Sequence, residues 1–168
     1  MTEELLPYQI IERMAEDRRS SSDEEILHEL SSLPPLADES DKPWEGEDYW
    51  NQVAYPYLAL ADIAAERRLR PAIRLLLERA SFGDPGEIMR GLRHNLEAIA
   101  NPDWDILADE CLQAAQSERP GTRLWAINEL AILGDARAKP VCEAAIAEGP
   151  DELRQAAELA LERLKRKQ

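Results

Sequence analysis

Residues 119–164 read RPGTRLWAINELAILGDARAKPVCEAAIAEGPDELRQAAELALERL. Apolar residues recur there at three- and four-residue spacing, and Gly134-Asp135 and Gly149-Pro150 interrupt them, which is the pattern helix, turn, helix, turn, helix. Small alanines stand where the helices would cross. One hairpin of this kind cannot bury its own apolar face, so it must stack on others like it. The expected fold class is therefore all-α, a short α-solenoid of antiparallel helical hairpins.

The rest of the chain repeats this unit. Val53, Pro56, Leu60 and Ile63 fall at offsets 0, 3, 7 and 10. Met89, Leu92, Leu96 and Ile99 do the same, then Arg123, Ala126, Leu130 and Leu133, and finally Arg154, Ala157, Leu161 and Leu164. The periods are 36, 34 and 31 residues. A bundle wound about one centre would show the short spacing but not this longer recurrence with matching turns at 83–86 (GDPG), 101–103 (NPD) and 134–135. Pro56 interrupts an otherwise helical stretch, and Asp84 with Pro85 suits a helix start.

Upstream, residues 3–18 have the spacing of a helix with Leu6, Ile10, Met14 and Ile11 inward. Ser22 or Asp23 can cap a second helix reaching Leu33, with Ile26, Leu27 and Leu30 on its apolar side. From Pro34 to Glu47 the composition turns to Pro, Asp, Glu, Ser and Gly, the make-up of a linker or long loop. The expected division is thus 1–47, acidic helices and linker, and 48–168, about three and a half repeat hairpins. Charge follows the same division. Residues 1–50 hold fifteen Asp/Glu against four Lys/Arg, while the remainder holds nineteen against sixteen. An arm that acidic repels polyphosphate backbones and argues against nucleic acid as the partner. No apolar run approaches the ~20 residues of a membrane span. The amino end lacks the basic stretch of a signal peptide, so a cytoplasmic location is expected. Cys111 and Cys142, without CxxC spacing, read as reduced core thiols.

LWAINELAILGDARAKPVCEAAIAEG followed by DELRQAAELALERL resembles HEAT repeats, in particular the short bacterial kind of the phycocyanobilin lyases. Arg123 and Arg154, with Ala126 and Ala157 three positions on, match that family's R-x-x-A helix. Gly134-Asp135 matches its turn, and Ala138-x-Pro140-Val141 the start of its second helix. The match is strong over 119–164, fair over 55–116 and absent over 1–47. The resemblance implies a HEAT-like superhelix. It offers as one alternative a bilin lyase-like or phycobilisome-associated chaperone or degradation factor in a cyanobacterium, handling an open-chain tetrapyrrole, with Arg90 and Arg93 on the propionates.

The residues themselves specify no reaction. Nothing matches a nucleophile elbow, P-loop or dinucleotide fingerprint. His28, His94, Cys111 and Cys142 make no i, i+3 or i+4 pair, so neither a metal site nor a catalytic residue is assigned. Two clusters suit binding. Seven arginines lie between residues 67 and 93, at 67, 68, 70, 74, 79, 90 and 93, against three acids. Such forks grip carboxylates of a partner, or they dock the chain's own acidic arm. Trp44, Tyr49, Trp50, Tyr55 and Tyr57 hold five of the nine aromatics within fourteen residues; they form either a recognition surface or a cap on the open end of the stack. Trp104 and Trp125 read as packing residues. The expectation is a non-catalytic scaffold that needs no cofactor and binds a partner protein, a phycobiliprotein or other photosynthetic component under the resemblance. Its candidate contacts are Arg67, Arg70, Arg74, Arg90, Arg93, His94, Trp44, Tyr49, Trp50 and Tyr55 on a concave face.

Overall fold

The computed structural model describes residues 5–37, 46–81 and 87–167, and within these no side chain at 47, 87–90 or 167. The elements are α1 (Pro7–Glu16), α2 (Asp23–Ser32), α3 (Glu47–Tyr49), α4 (Tyr55–Arg67), α5 (Ala72–Arg79), α6 (Glu87–Ala100), α7 (Trp104–Ala114), α8 (Pro120–Leu133), α9 (Ala138–Glu148) and α10 (Asp151–Lys167). No strand occurs among the described residues. The GDPG turn, with Asp84 and Pro85, lies outside them.

The helices pile up in two layers. In one, α1 lies on α4, α4 on α6, and α8 on α10; in the other, α2 lies on α5 and α5 on α7. Between the layers α4 meets α5, α6 meets α7, and α8 meets α9. Each hairpin also hands its core to the next, through α7 on α8 and α9 on α10. The register read from the sequence is what holds them. At offset 3, Pro56, Leu92, Ala126 and Ala157 are all buried. At offset 7, Leu60, Leu96 and Leu130 are buried and Leu161 half-buried; at offset 10, Ile63, Ile99 and Leu164 are buried and Leu133 half-buried. A fully buried Leu or Ile contributes about 1.5–3 kcal/mol over an exposed one. These repeated positions form one continuous core.

The first two helices belong to that core. Ala15, Ile26 and Leu30 are fully buried in it. Ser22 caps α2 by accepting from the Glu25 N–H (3.2 Å), while the Ser22 N–H donates to the Glu25 carboxylate (2.6 Å), a reciprocal box. One expectation needs correction here, and one core residue went unread. Leu6, expected inward, precedes the first turn of α1 and is 54% exposed, while Ala15 takes the inner position. Leu36, in the stretch read as linker, is 2% exposed.

Pro56 does not break its helix. A π-helical turn, Trp50–Ala54, links α3 to α4, and the Tyr55 N–H reaches the Trp50 carbonyl five residues back. That wider turn accommodates a ring that lacks an N–H and crowds the carbonyl four residues before it.

Two hairpin turns close in the same way with different residues. Gly134 ends α8 in the left-handed region (φ 76°), and the Asp135 N–H reaches the Leu130 carbonyl at 3.2 Å. Arg68 ends α4 at φ 54°, with the Leu69 N–H on the Ala64 carbonyl at 2.9 Å. Glycine takes this conformation freely, whereas a Cβ is crowded by the following carbonyl oxygen. The Arg68 side chain is exposed. Arg68→Gly should therefore raise stability by about 0.5–1 kcal/mol, roughly 2–4 °C in a thermal melt of a chain this size. An unchanged or lower melting temperature would contradict the shared turn.

Candidate functional site

The layer made by α2, α5 and α7 carries several charged side chains that cross between hairpins. On α5, Arg74 donates to Glu110 of α7 at 2.9 Å and also to Gln113. Arg70 stands 4.0 Å from Asp103. Arg137, just before α9, reaches Asp109 of α7 at 2.6 Å and closes on Asp135 at 2.7 Å. Arg137 holds the Asp135 carboxyl below its usual range by direct hydrogen bonds. Exposed pairs of this type are screened by solvent and contribute little, so they tune register more than they hold the stack. Beside Arg74 an open groove of about 290 Å³ runs between α5, α7 and the start of α8, with Leu77 and Ala114 as apolar lining and Glu78, Glu110, Gln113, Ser117 and Thr122 around them.

In the other layer polar contacts recur once per period. Asn95 donates to Asp62 (2.7 Å), Arg93 to Glu129 (2.8 Å) and Arg163 to Asn128 (3.3 Å), across α4–α6, α6–α8 and α8–α10. Burial pushes the Asp62 carboxyl upward, partly offset by Asn95. Glu129 is fully buried. One of its oxygens takes the Arg93 bond, while the other, Oε1, meets no hydrogen-bond partner. Burial raises its pKa, and Arg93 opposes that.

The described arginines of the sequence cluster go separate ways. Arg67 turns back to the amino-terminal hairpin, donating to the Ser21 and Arg19 carbonyls and to Asp23, each at 2.9 Å. Arg79 likewise reaches the Leu33 carbonyl at 3.0 Å and the Ser31 carbonyl. Both thus dock the chain's own arm. Arg74 faces the α5–α7 groove, Arg70 stands before α5 beside Asp103 and outside the groove lining, Arg93 spans the opposite layer, and Arg68 is exposed at the end of α4. His94 is exposed on α6. Arg90 lies on α6 with its side chain outside the described residues, and Trp44 is also outside them.

Tyr49, Trp50 and Tyr55 do come together, half-buried, with ring centroids 5.8 Å apart for the first pair and 5.6 Å for the second. The Tyr49 hydroxyl accepts from the Ala37 N–H at 3.2 Å. Trp125 is buried, but Trp104, expected as a packing residue, opens α7 and is 44% exposed. Sequence reasoning missed Arg119, Thr122, Glu129 and Arg137. The signal for Glu129 was a lone acid in the apolar run LWAINELAIL one period after Arg93.

Cys111 and Cys142 are buried and free. Burial pushes the Cys111 thiol well up, with Glu129 and Glu110 adding to it, and pushes Cys142 up to about 11. Thiolate is the reactive form. The native protein at pH 8 should therefore react with a thiol reagent at least ten-fold more slowly than in denaturant, and equal rates would contradict the burial. Among the described residues no three His, Cys, Asp or Glu side chains converge as metal ligands, and no helix is long and apolar enough to cross a membrane.

The sequence pattern described as HEAT repeats matches residues 73–162, more than half of the chain. The chain belongs to the HEAT repeat family. No curated relative and no solved structure matches it. The HEAT match begins inside α5 and ends inside α10, and the same two-layer packing continues upstream through α4 to α1 and α2. HEAT stacks are repeat scaffolds that present extended surfaces.

Proposed function

We infer that this HEAT protein is a non-catalytic scaffold that binds a partner protein across the face formed by α5 and α7. The observation that carries this reading is the open groove beside Arg74, where apolar lining is ringed by charged and amide groups of both signs. Such a mixture suits an interface with a small apolar centre and a polar rim. Arg74 is its exposed cation, and Arg70 adds a second exposed cation on the same face beside Asp103; both side chains are about half accessible. The aromatic trio of Tyr49, Trp50 and Tyr55 and the hairpin of α1 and α2 act in this reading as the cap on the amino end of the stack, held there by Arg67 and Arg79.

The bilin-handling alternative asks Arg90 and Arg93 to grip propionates. Arg93 Nε is already bonded to Glu129, so the protein-partner reading has the better support. Affinity capture from the native host, with the wild type and an Arg70→Glu/Arg74→Glu variant of matched melting temperature, tests it. The expected result is a captured protein reduced at least ten-fold by the charge reversal. Capture unaffected by the reversal would refute the assignment of this face. A new visible absorbance band on mixing with phycocyanobilin, abolished by Arg93→Ala, would restore the alternative.

A further inference from the structure

Pro34–Ala37 follows α2 across the carboxyl end of α5. Leu33 is already extended (φ −65°, ψ 141°), and Pro34 and Pro35 each fix φ near −65° and bias the residue before them toward polyproline II. The segment meets a seat prepared by three elements. The last carbonyls of α5 are satisfied from outside: Glu78 by Arg119 Nη1 at 2.9 Å, Arg79 by the Leu36 N–H at 2.8 Å, and Ala80 by the Thr122 hydroxyl at 2.9 Å. In return Arg119 Nη2 donates to the Leu36 carbonyl at 2.8 Å, and Arg79 Nε to the Leu33 carbonyl at 3.0 Å. The Leu36 side chain is buried, while Pro34 and Pro35 remain exposed.

The hydrogen bonds read main chain alone, and the anchoring side chains are Leu36, buried, and Leu33, half-buried against the core. Any extended chain with leucines at that register therefore satisfies the same groups. The seat also continues past its occupant. Glu78 and Thr122 belong both to it and to the open groove along α5 and α7, which the chain's own segment leaves unfilled. We propose that this seat is a peptide-binding site for an extended, proline-led, leucine-anchored segment of a partner protein, occupied in the free protein by Leu33–Ala37. The partner segment displaces the strap, takes its bonds from Arg79 and Arg119, and runs on into the groove. This deepens the scaffold reading and rests on it.

The test uses a fluorescein-labelled peptide of residues 31–41, SSLPPLADESD, and full-length protein. In Leu36→Gly the anchor is lost and the seat is freed. Its affinity for the peptide, followed by fluorescence anisotropy, should exceed that of the wild type at least ten-fold. A peptide carrying the same Leu36→Gly change should fail to bind, a control that leaves the protein untouched. Adding Arg119→Ala to the freed protein should cost at least ten-fold, with circular dichroism confirming the fold. No binding by the folded Leu36→Gly protein, or equal binding of both peptides, would overturn the proposal. So would a wild-type dimer that dissociates in Leu36→Gly, since a second copy would then fill the seat. Failure of the peptide with host capture still sensitive to Arg70 and Arg74 would sink the seat alone; the reverse pattern would sink the face.

Discussion

Arg93→Ala should lower the free energy of unfolding by about 3 kcal/mol in a urea titration, far more than the loss of any exposed ion pair here. The Glu129 side chain is only 1% exposed, and its Oε1 has no hydrogen-bond partner. Without Arg93 its second oxygen loses its donor too, leaving a buried charge uncompensated. Glu129→Gln should behave in the opposite way, costing nothing or stabilising by up to about 1 kcal/mol, because burial disfavours the ionised form and an amide fills the same space. Combining the two should recover most of the loss, since the pair is coupled. A wild-type-like Arg93→Ala would show that the pair does not tie α6 to α8.

The pH dependence follows from the same group. The folded state holds a proton on Glu129 more tightly than the unfolded chain does, so this carboxyl favours folding as pH falls through its raised pKa and opposes it as pH rises. Glu25 and Asp135 run the other way. The Ser22 N–H and Arg137 hold them below the usual range, and their contribution, present above the unfolded pKa, is lost as acid protonates them. Asp62, also raised by burial, behaves as Glu129 does. In Glu129→Gln the acid-side gain of Glu129 is removed, so stability should fall more steeply than that of the wild type as pH drops toward the ordinary carboxylate range.

Leu60→Ala and Leu130→Ala should each cost about 3 kcal/mol. Both side chains are fully buried and share one register position two periods apart, so each leaves a leucine-sized void in an equivalent layer. Leu159→Ala, on the solvent face of α10 at 67% exposure, should change stability by less than about 0.5 kcal/mol. Because neighbouring hairpins supply each core, amide exchange should speed most in the helices flanking each lesion. A Leu130→Ala effect near that of Leu159→Ala would mean that offset 7 does not face the core.

The parts legible in the sequence are those governed by short-range rules. Offsets 3, 7 and 10 marked the inward positions because a helix turns by a fixed angle per residue. Ser22 as one of two candidate caps of α2, and the core reading of Cys111 and Cys142, followed from local chemistry. Leu6 failed because hydrophobicity alone does not say where a first turn starts: it stands one residue before α1, and Ala15 fills the inward place. The burial of Leu36 was not read at all, since a single apolar residue in a polar stretch carries no periodicity. The arginine cluster was seen but not its partition. Whether Arg67 meets Asp23, or Arg74 meets Glu110, depends on which hairpins become neighbours, and that contact lies about a full repeat away in the chain. The α5–α7 groove belongs to the same class, being a gap between elements and not a property of either.

Translational stacking is the claim on which the scaffold and its groove depend, and pulsed electron–electron spin distances test it most directly. Spin labels would be placed in pairs, one always at exposed His28 on α2 and the other at exposed Arg74, Asp105 or Glu143 on α5, α7 or α9, in a variant with Cys111 and Cys142 replaced by alanine. With interaxial spacings of about 8–10 Å, the mean distance should lengthen stepwise by roughly that amount from α5 to α7 to α9. Distances that stop growing after α5 would describe helices gathered about one centre, and would contradict the stack.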